Sequence, residues 1–94
     1  MENQTISYSV NISDYAVKQL QKLDKVERSI VKIFLTTMLS LDNPRKIGKP
    51  LKGNLKNHWR YRVGKLRIIC IIIDSPQYEI NVLTVENRNS VYTK

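Results

Sequence analysis

The strongest constraint on the fold is a series of three strand-like segments in the second half of the chain, joined by short turns. In the first, residues 59–63 (WRYRV), aromatic and aliphatic side chains alternate with arginines, which is the period of a strand with one buried face. Gly64 and Lys65 predict a tight hairpin turn into a long apolar strand, 66–73. DSPQ then turns the chain into a third strand, 79–85. Turns this short make neighbouring strands antiparallel, so the sequence predicts a three-stranded meander.

The first half of the chain predicts one strand and two helices. Apolar and polar residues alternate over 6–12, and Ser13 follows as a candidate helix N-cap. Asp24 is a second candidate cap, with Glu27 three residues later, and Pro44 ends the second helix because it disfavours helix before it. The residues predicted to face the core are Ala16, Leu20 and Leu23 in the first helix, and Val26, Ile30, Ile33, Phe34, Thr37, Met38 and Leu41 in the second.

Together these elements predict one domain over residues 1–94, because a chain of 94 residues holds a single core. The predicted fold is α+β, with the order β-α-α-β-β-β: an antiparallel sheet with a two-helix hairpin on one face. The basic segment KIGKPLKGNLKNH is predicted to be an irregular connection with at most one short extended piece. No run of 18 apolar residues predicts a membrane span, and the N-terminal residues lack signal-peptide features. The single cysteine, Cys70, lies in an apolar strand and fits a core position in a cytoplasmic protein.

Positive charge is concentrated in the middle of the chain. The net charge is +8, and residues 43–73 contain nine of the sixteen basic residues and no Asp or Glu. The nine are Arg45, Lys46, Lys49, Lys52, Lys56, Arg60, Arg62, Lys65 and Arg67. Such a field attracts polyanions, including nucleic acids, anionic membrane surfaces and acidic proteins. Solubility alone is the alternative explanation.

The arginines of the meander predict an anion site. Alternation places Arg60 and Arg62 on the face of their strand opposite the aromatic residues. Arg67 begins the next strand, on a face that the sequence leaves open. Arg88 follows the last strand. Mutual repulsion among four arginines is relieved when a phosphate lies between them, because guanidinium groups bind phosphate oxygens bidentately.

The chain resembles the RelE family of bacterial toxin–antitoxin systems. The likeness is carried by YSVNISDYAVKQLQKLD, NPRKIGKPLKGNLKNHWRYRVGKLRIIC and VLTVENRNSVY, which follow one another in one register over nearly the whole chain. The resemblance implies a microbial-RNase-like fold and a toxin that cleaves messenger RNA in the ribosomal A site. In that reaction a ribose 2′-OH attacks the adjacent phosphate, leaving a cyclic phosphate and a free 5′-OH. It requires no cofactor or metal.

The resemblance also implies roles for individual residues. Arg67 matches the arginine that stabilises the charged phosphorane, Arg88 an arginine near the leaving oxygen, and Tyr92 a tyrosine that stacks on a base or orients the ribose. Arg60 and Arg62 match two positions that hold the RNA backbone and are lysines in the best-known member. RNA or ribosome binding is assigned to Arg45, Lys46, Lys49, Lys52, Lys56 and Lys65.

The arginines at positions 60 and 62 leave the general base open. A buried lysine can lose its proton, whereas arginine effectively cannot. The remaining candidates are Lys52, Lys65, His58 and Tyr92. The basic segment contains no carboxylate, so a ribonuclease built on it would depend on charge stabilisation and on geometry imposed by the ribosome.

The implied partners are messenger RNA on the ribosome, against the RNA of its small subunit, and an acidic RelB-like antitoxin. The resemblance implies that toxin and antitoxin form a heterotetramer that binds its own operator. Two alternatives remain: a ParE-like toxin of the same fold that inhibits DNA gyrase without nuclease activity, and a plain basic nucleic-acid-binding module. The module is disfavoured because exposed aromatic residues do not interleave with the basic ones as in stacking platforms.

Overall fold

The computed structural model describes residues 8–38, 43–53, 55 and 57–87. Its elements are β1 (Ser9–Ile12), α1 (Asp14–Gln21), α2 (Lys25–Ile33), β2 (Lys49–Pro50), β3 (His58–Val63), β4 (Leu66–Ile73) and β5 (Glu79–Asn87). The predicted order is confirmed, and the short extended piece in the basic segment is β2.

The five strands form one sheet in the order β1-β5-β4-β3-β2. The predicted meander is present, since β4 pairs antiparallel with both β3 and β5. β1 is parallel to β5, with Ser9 opposite Glu79, so the sheet is mixed. A parallel pair needs a long connection between its strands, and here the two helices and the rest of the meander supply it.

Both helices begin at the caps predicted from the sequence. The Ser13 hydroxyl accepts a hydrogen bond from the Ala16 amide at 3.0 Å, and the Asp24 carboxylate accepts one from the Glu27 amide at 2.8 Å. α1 buries Ala16 and Leu20, as predicted. Among the described residues, no helix is long and apolar enough to span a membrane.

The predicted inner face of the second helix is largely wrong. Val26, Ile30 and Ile33 are 68%, 45% and 64% exposed, whereas Val31 and Leu35 are buried. Of the predicted set, Phe34 does pack inward, with its ring edge-on to Tyr61 at a centroid distance of 5.4 Å. The sequence of α2 contains apolar residues on two faces, and helical spacing alone does not show which one packs on the sheet. After Ile33 the chain continues in a wider, π-helical turn, Phe34–Met38. Leu41, the last residue of the predicted inner face, lies outside the described residues.

The helices cover one face of the sheet, called here the helix side; the other is called the open face. On β4 the helix side consists of Leu66, Ile68, Cys70 and Ile72, all buried. On β5 it consists of Ile80, Val82 and Val85, and the interval of three marks a β-bulge. Ile69 pairs with Thr84 and Cys70 with Val82, so Leu83 is an extra residue. Beyond the bulge, Thr84 and Glu86 therefore share the open face with Arg67 and Ile69.

Candidate nucleic-acid interface

The turn between β3 and β4 places Arg62 and Arg67 directly opposite one another. Val63 and Leu66 are the closing pair of this hairpin, which leaves Gly64 and Lys65 as a two-residue turn. Directly opposed residues of an antiparallel pair lie on one face, with Cβ atoms about 4.5–5.5 Å apart. The register therefore puts Arg67 on the same face as Arg60 and Arg62, a point that the sequence left open.

A third strand adds a lysine to this group. Lys49 of β2 lies opposite Arg60 of β3. With Gly48 and Arg62, these two residues line an open depression of about 320 Å³. We call Lys49, Arg60, Arg62 and Arg67 the basic face. Its four cations extend across three neighbouring strands, a geometry that suits the backbone of an extended polyanion.

Three contacts hold the segment before β2 against β3. The Trp59 indole Nε1 donates a hydrogen bond to the Ile47 carbonyl at 2.7 Å, and the Tyr61 hydroxyl donates one to the Pro44 carbonyl at 2.6 Å. Burial raises the pKa of Tyr61, which keeps its hydroxyl protonated as a donor. Gly48, with φ of +79°, lies so close to β3 that a Cβ atom there would be 2.5 Å from the Arg60 carbonyl oxygen. Lys49 is thereby fixed relative to the arginines.

The Arg67 side chain contains a buried hydrogen-bond donor that no described residue accepts from. Within the part of the chain that the structure describes, its buried Nε atom has no hydrogen-bond partner, and neither does the buried hydroxyl of Thr84 on the same face of β5. An unsatisfied buried donor costs about 1–3 kcal/mol. A phosphate oxygen bound at Arg67 would satisfy that donor, so the two unpartnered atoms indicate a site for an oxyanion.

Arg45 is not part of the basic face. Its guanidinium forms an ion pair with Asp74 at 3.0 Å, and the Tyr8 hydroxyl donates to the same carboxylate at 2.6 Å. Hydrogen bonding from Arg45, and then from Tyr8, lowers the pKa of Asp74. The 3₁₀ turn Pro44–Lys46 lies on the helix side, because Tyr61, whose ring is on that side, bonds to Pro44. Arg45 thus connects this turn to the end of β4.

The other predicted residues divide into three groups. Lys46, Lys52 and Lys65 are exposed outside the basic face, with Lys65 in the hairpin turn next to Arg62 and Arg67. His58 begins β3 on the open face as predicted, but four residues from Arg62, which is about 13 Å along a strand. Arg88, Tyr92 and Lys56 lie outside the described residues.

Sequence reasoning missed a carboxylate at this site. Glu86 of β5 lies opposite Arg67 of β4, so the row across the open face is Arg62, Arg67, Glu86. The basic segment lacks acidic residues in sequence, but the sheet brings one to it in space. The apolar pair Val82-Leu83, which interrupts the alternation of β5, was the signal for the bulge that places Glu86 there.

The architecture described above is shared with known bacterial toxins. The chain matches the family described as ParE toxin of type II toxin–antitoxin system, parDE, over residues 10–92. The chain therefore belongs to this toxin family. Within the curated proteins, Toxin RelE of Mycobacterium tuberculosis is 28% identical over 86 residues, covering 90% of this chain and 86% of that protein.

Solved structures agree with this assignment. The toxin–antitoxin complex RelBE2 from M. tuberculosis contains a chain that superposes with a TM-score of 0.80 at 28% identity, covering 93% of this chain and 98% of that one. The archaeal RelE–RelB complex from Pyrococcus horikoshii gives a TM-score of 0.71 at 25% identity, covering 88% and 97%. The isolated Escherichia coli RelE toxin, at 22% identity and a TM-score of 0.71 over 86% and 84% of the two chains, shows the fold alone. The resemblance to RelE-type toxins is confirmed.

Proposed function

We propose that this toxin is an endoribonuclease that cleaves messenger RNA in the ribosomal A site and thereby inhibits translation. The observation that carries the proposal is Arg67, which has an unpartnered, buried Nε atom and lies opposite Arg62 on the open face. Translation takes place in the cytoplasm, where we propose that the protein acts.

The proposed reaction is attack of a ribose 2′-OH on the adjacent phosphate. The pentacoordinate phosphorane carries more negative charge than the ground state, and fixed guanidinium groups stabilise it. Arg67 is the first of these, and Arg62 and Arg60 hold the flanking backbone. In this proposal Arg88 assists the leaving oxygen and Tyr92 stacks on a base or orients the ribose.

In this proposal the ribosome holds the messenger RNA in the geometry that cleavage requires. Cleavage requires the 2′-oxygen, phosphorus and leaving oxygen to be in line, and positioning of this kind contributes as much as about 7–11 kcal/mol to a reaction barrier. Exposed Lys46, Lys49, Lys52 and Lys65 extend the positive surface for contact with ribosomal RNA. Such contacts weaken steeply with salt, because counterions compete for the phosphates.

An antitoxin is the second partner in the proposal. The relatives from M. tuberculosis and P. horikoshii were solved as toxin–antitoxin complexes. The net charge of +8 on this chain favours an acidic segment that covers the basic face and excludes RNA. Light scattering on the co-expressed pair, with and without operator DNA, tests whether they form the expected heterotetramer that binds its own operator.

A gyrase-inhibiting, ParE-like toxin is the second candidate, because the matching family is named for ParE. An inhibitor that acts by binding alone has no need of an arginine whose buried Nε atom lacks a partner. The unpartnered Nε of Arg67 therefore favours the nuclease.

Mapping of 5′ ends on translated messages after induction separates the two candidates. Wild-type toxin should produce cuts within codons, and Arg67→Gln should slow cleavage on purified, programmed ribosomes by about 100-fold or more. The matched control is Lys32→Ala, which removes one positive charge from an exposed position of α2. Glutamine retains much of the volume, and removal of an unpartnered donor leaves no other group unpaired, so thermal stability should be retained.

Three results would contradict the proposal. Intact messages together with gyrase inhibition would establish the second candidate. A folded Arg67→Gln protein that cleaves at the wild-type rate would remove Arg67 from the site. A Lys32→Ala protein as defective as Arg67→Gln would show that net charge, and no particular guanidinium, sets the activity.

A further inference from the structure

We infer that Glu86 accepts the proton of the attacking ribose 2′-OH. This inference rests on the proposed nuclease function and supplies the base that the arginines at positions 60 and 62 are unable to provide.

The placement follows from the bulge in β5. Because Leu83 is an extra residue, the side chains after it change faces, and Glu86 lies on the open face opposite Arg67. Cross-strand neighbours have Cβ atoms about 4.5–5.5 Å apart. A phosphate held by Arg67 therefore has the Glu86 carboxylate within reach of its ribose.

The Glu86 carboxylate is available for proton transfer. Within the described part of the chain, it forms no ion pair with Arg67, and Arg67 Nε has no partner. The Thr84 hydroxyl, two residues before Glu86 on the same face, is likewise buried without a partner among the described residues. An Arg–Glu pair kept only for sheet stability would bring the two groups together.

The cations near Glu86 offset its repulsion of a bound phosphate. Arg67 and then Arg62 face it across the sheet. From α1, Lys18, Lys22 and Tyr15 line a depression together with Glu86. From α2, the Glu27 carboxylate accepts a hydrogen bond from the Asn87 side chain at 3.4 Å and adds one negative charge nearby. The cations of the row offset the repulsion between the Glu86 carboxylate and a phosphodiester.

The proton-transfer step balances with Glu86 as acceptor. The carboxylate takes the proton from the 2′-OH as the 2′-oxygen forms its bond to phosphorus. The bond from phosphorus to the 5′-oxygen breaks, and the leaving oxygen keeps the electron pair and takes a proton from water. The products are a 2′,3′-cyclic phosphate and a free 5′-OH, and Glu86 then returns its proton to solvent.

Two of the alternative bases, His58 and Lys65, are less well placed than Glu86. His58 lies about 13 Å along β3 from Arg62, and hence outside the row that contains Arg67. Lys65 lies in the exposed two-residue turn, also outside that row. Glu86 lies within the row, directly opposite Arg67.

Single-turnover cleavage of a defined message on purified ribosomes, measured against pH, tests the inference. Glu86→Gln should lower the maximal rate by about 100-fold or more, leave half-saturation by toxin within about threefold, and abolish the fall in rate on the acidic side of the profile. Glu86→Asp should retain that acidic limb at a reduced rate. Glu79→Gln is the matched control, because Glu79 lies on the same strand and face at its other end, opposite Ile73.

The outcomes separate this inference from the proposed function. If the wild type cleaves and Glu86→Gln cleaves at the same rate with the same acidic limb, Glu86 is not the base and the nuclease proposal stands. A loss in Glu86→Gln that appears only as weaker half-saturation also overturns the inference, since it assigns Glu86 to binding. If wild-type toxin leaves ribosome-bound messages intact, both the nuclease proposal and the inference fail.

Discussion

Replacement of Gly48 by alanine should destabilise the protein more than the same change at its other two glycines. All three have positive φ: +79° at Gly48, +83° at Gly53 and +62° at Gly64. They differ in their surroundings, because an added Cβ at Gly53 or Gly64 would meet no atom of the described residues within 4 Å. At Gly48 it would lie 2.5 Å from the Arg60 carbonyl oxygen and 2.7 Å from Trp59 Nε1.

The expected magnitudes follow from two separate contributions. A left-handed backbone conformation costs an L-residue about 1–2 kcal/mol, and this applies at all three positions. At Gly48 the β3 backbone or the segment before β2 must also move, and overpacking of this kind costs roughly 1–3 kcal/mol. Gly48→Ala should therefore lower the free energy of unfolding by about 2–5 kcal/mol, against about 1–2 kcal/mol at the other two positions.

Urea unfolding and thermal melting of the three variants measure the difference. Each kcal/mol lowers Tm by roughly 4–8 °C in a domain of this size. Under the proposed nuclease function, the Gly48 variant should also cleave more slowly than the other two variants, because Lys49 is the next residue and belongs to the basic face. If Gly48→Ala and Gly53→Ala agree within about 0.5 kcal/mol, the close approach to β3 does not constrain the backbone and the reasoning is refuted.

Two further predictions concern titratable groups. Asp74→Asn should cost at most about 1 kcal/mol at neutral pH, because the pair with Arg45 is partly exposed. Arg45 and Tyr8 lower the pKa of Asp74, so this stabilisation is present above the unfolded-state pKa of about 4 and is lost as pH falls through the folded-state pKa. Urea unfolding at pH 7 and pH 3 measures the loss, and an equal difference in unfolding free energy between variant and wild type at the two pH values would contradict it. Burial raises the pKa of Cys70 to about 12, so at pH 8 its thiolate fraction, and hence its rate of labelling by a thiol reagent, should be on the order of a thousandfold below that of the urea-unfolded chain. Because the folded state favours the protonated thiol, the contribution of Cys70 to stability should be complete below the unfolded-state pKa of about 8.5 and decline as pH rises towards the folded-state pKa. Rapid labelling of the native protein would show that Cys70 is not buried.

Local features of the fold could be predicted because they depend on residues close in sequence. The bounds of β4, 66–73, followed from the two turns beside it, and the caps Ser13 and Asp24 followed from helix-terminus chemistry. The inner face of α2 could not be predicted in the same way, because apolar side chains occupy two of its faces. Which face packs inward depends on the sheet beneath it, and the same is true of the parallel pairing of β1.

The candidate site was predictable only in part. Alternation placed Arg60 and Arg62 on one face, whereas the face of Arg67 depends on the register of the hairpin, which only the structure shows. The position of Glu86 depends on strand pairing across the β4–β5 turn and on one extra residue within β5. Counting charges along the sequence therefore missed the carboxylate that pairing brings to the basic face.

The bulge at Leu83 accommodates one extra residue in β5, and the side chains after it keep their places on the two faces of the sheet. Two bonds attach the start of α1 to this point: the Ser13 amide donates to the Val82 carbonyl at 2.9 Å, and its hydroxyl donates to the Leu83 carbonyl at 3.0 Å. Deletion of Leu83 would place Thr84 directly after Val82 in regular alternation, so Val85 would stay in the core and Glu86 on the open face. At this point the length of β5 can therefore change by one residue without an exchange of the two faces of the sheet, whereas elsewhere in the strand the same change would move every later side chain to the opposite face.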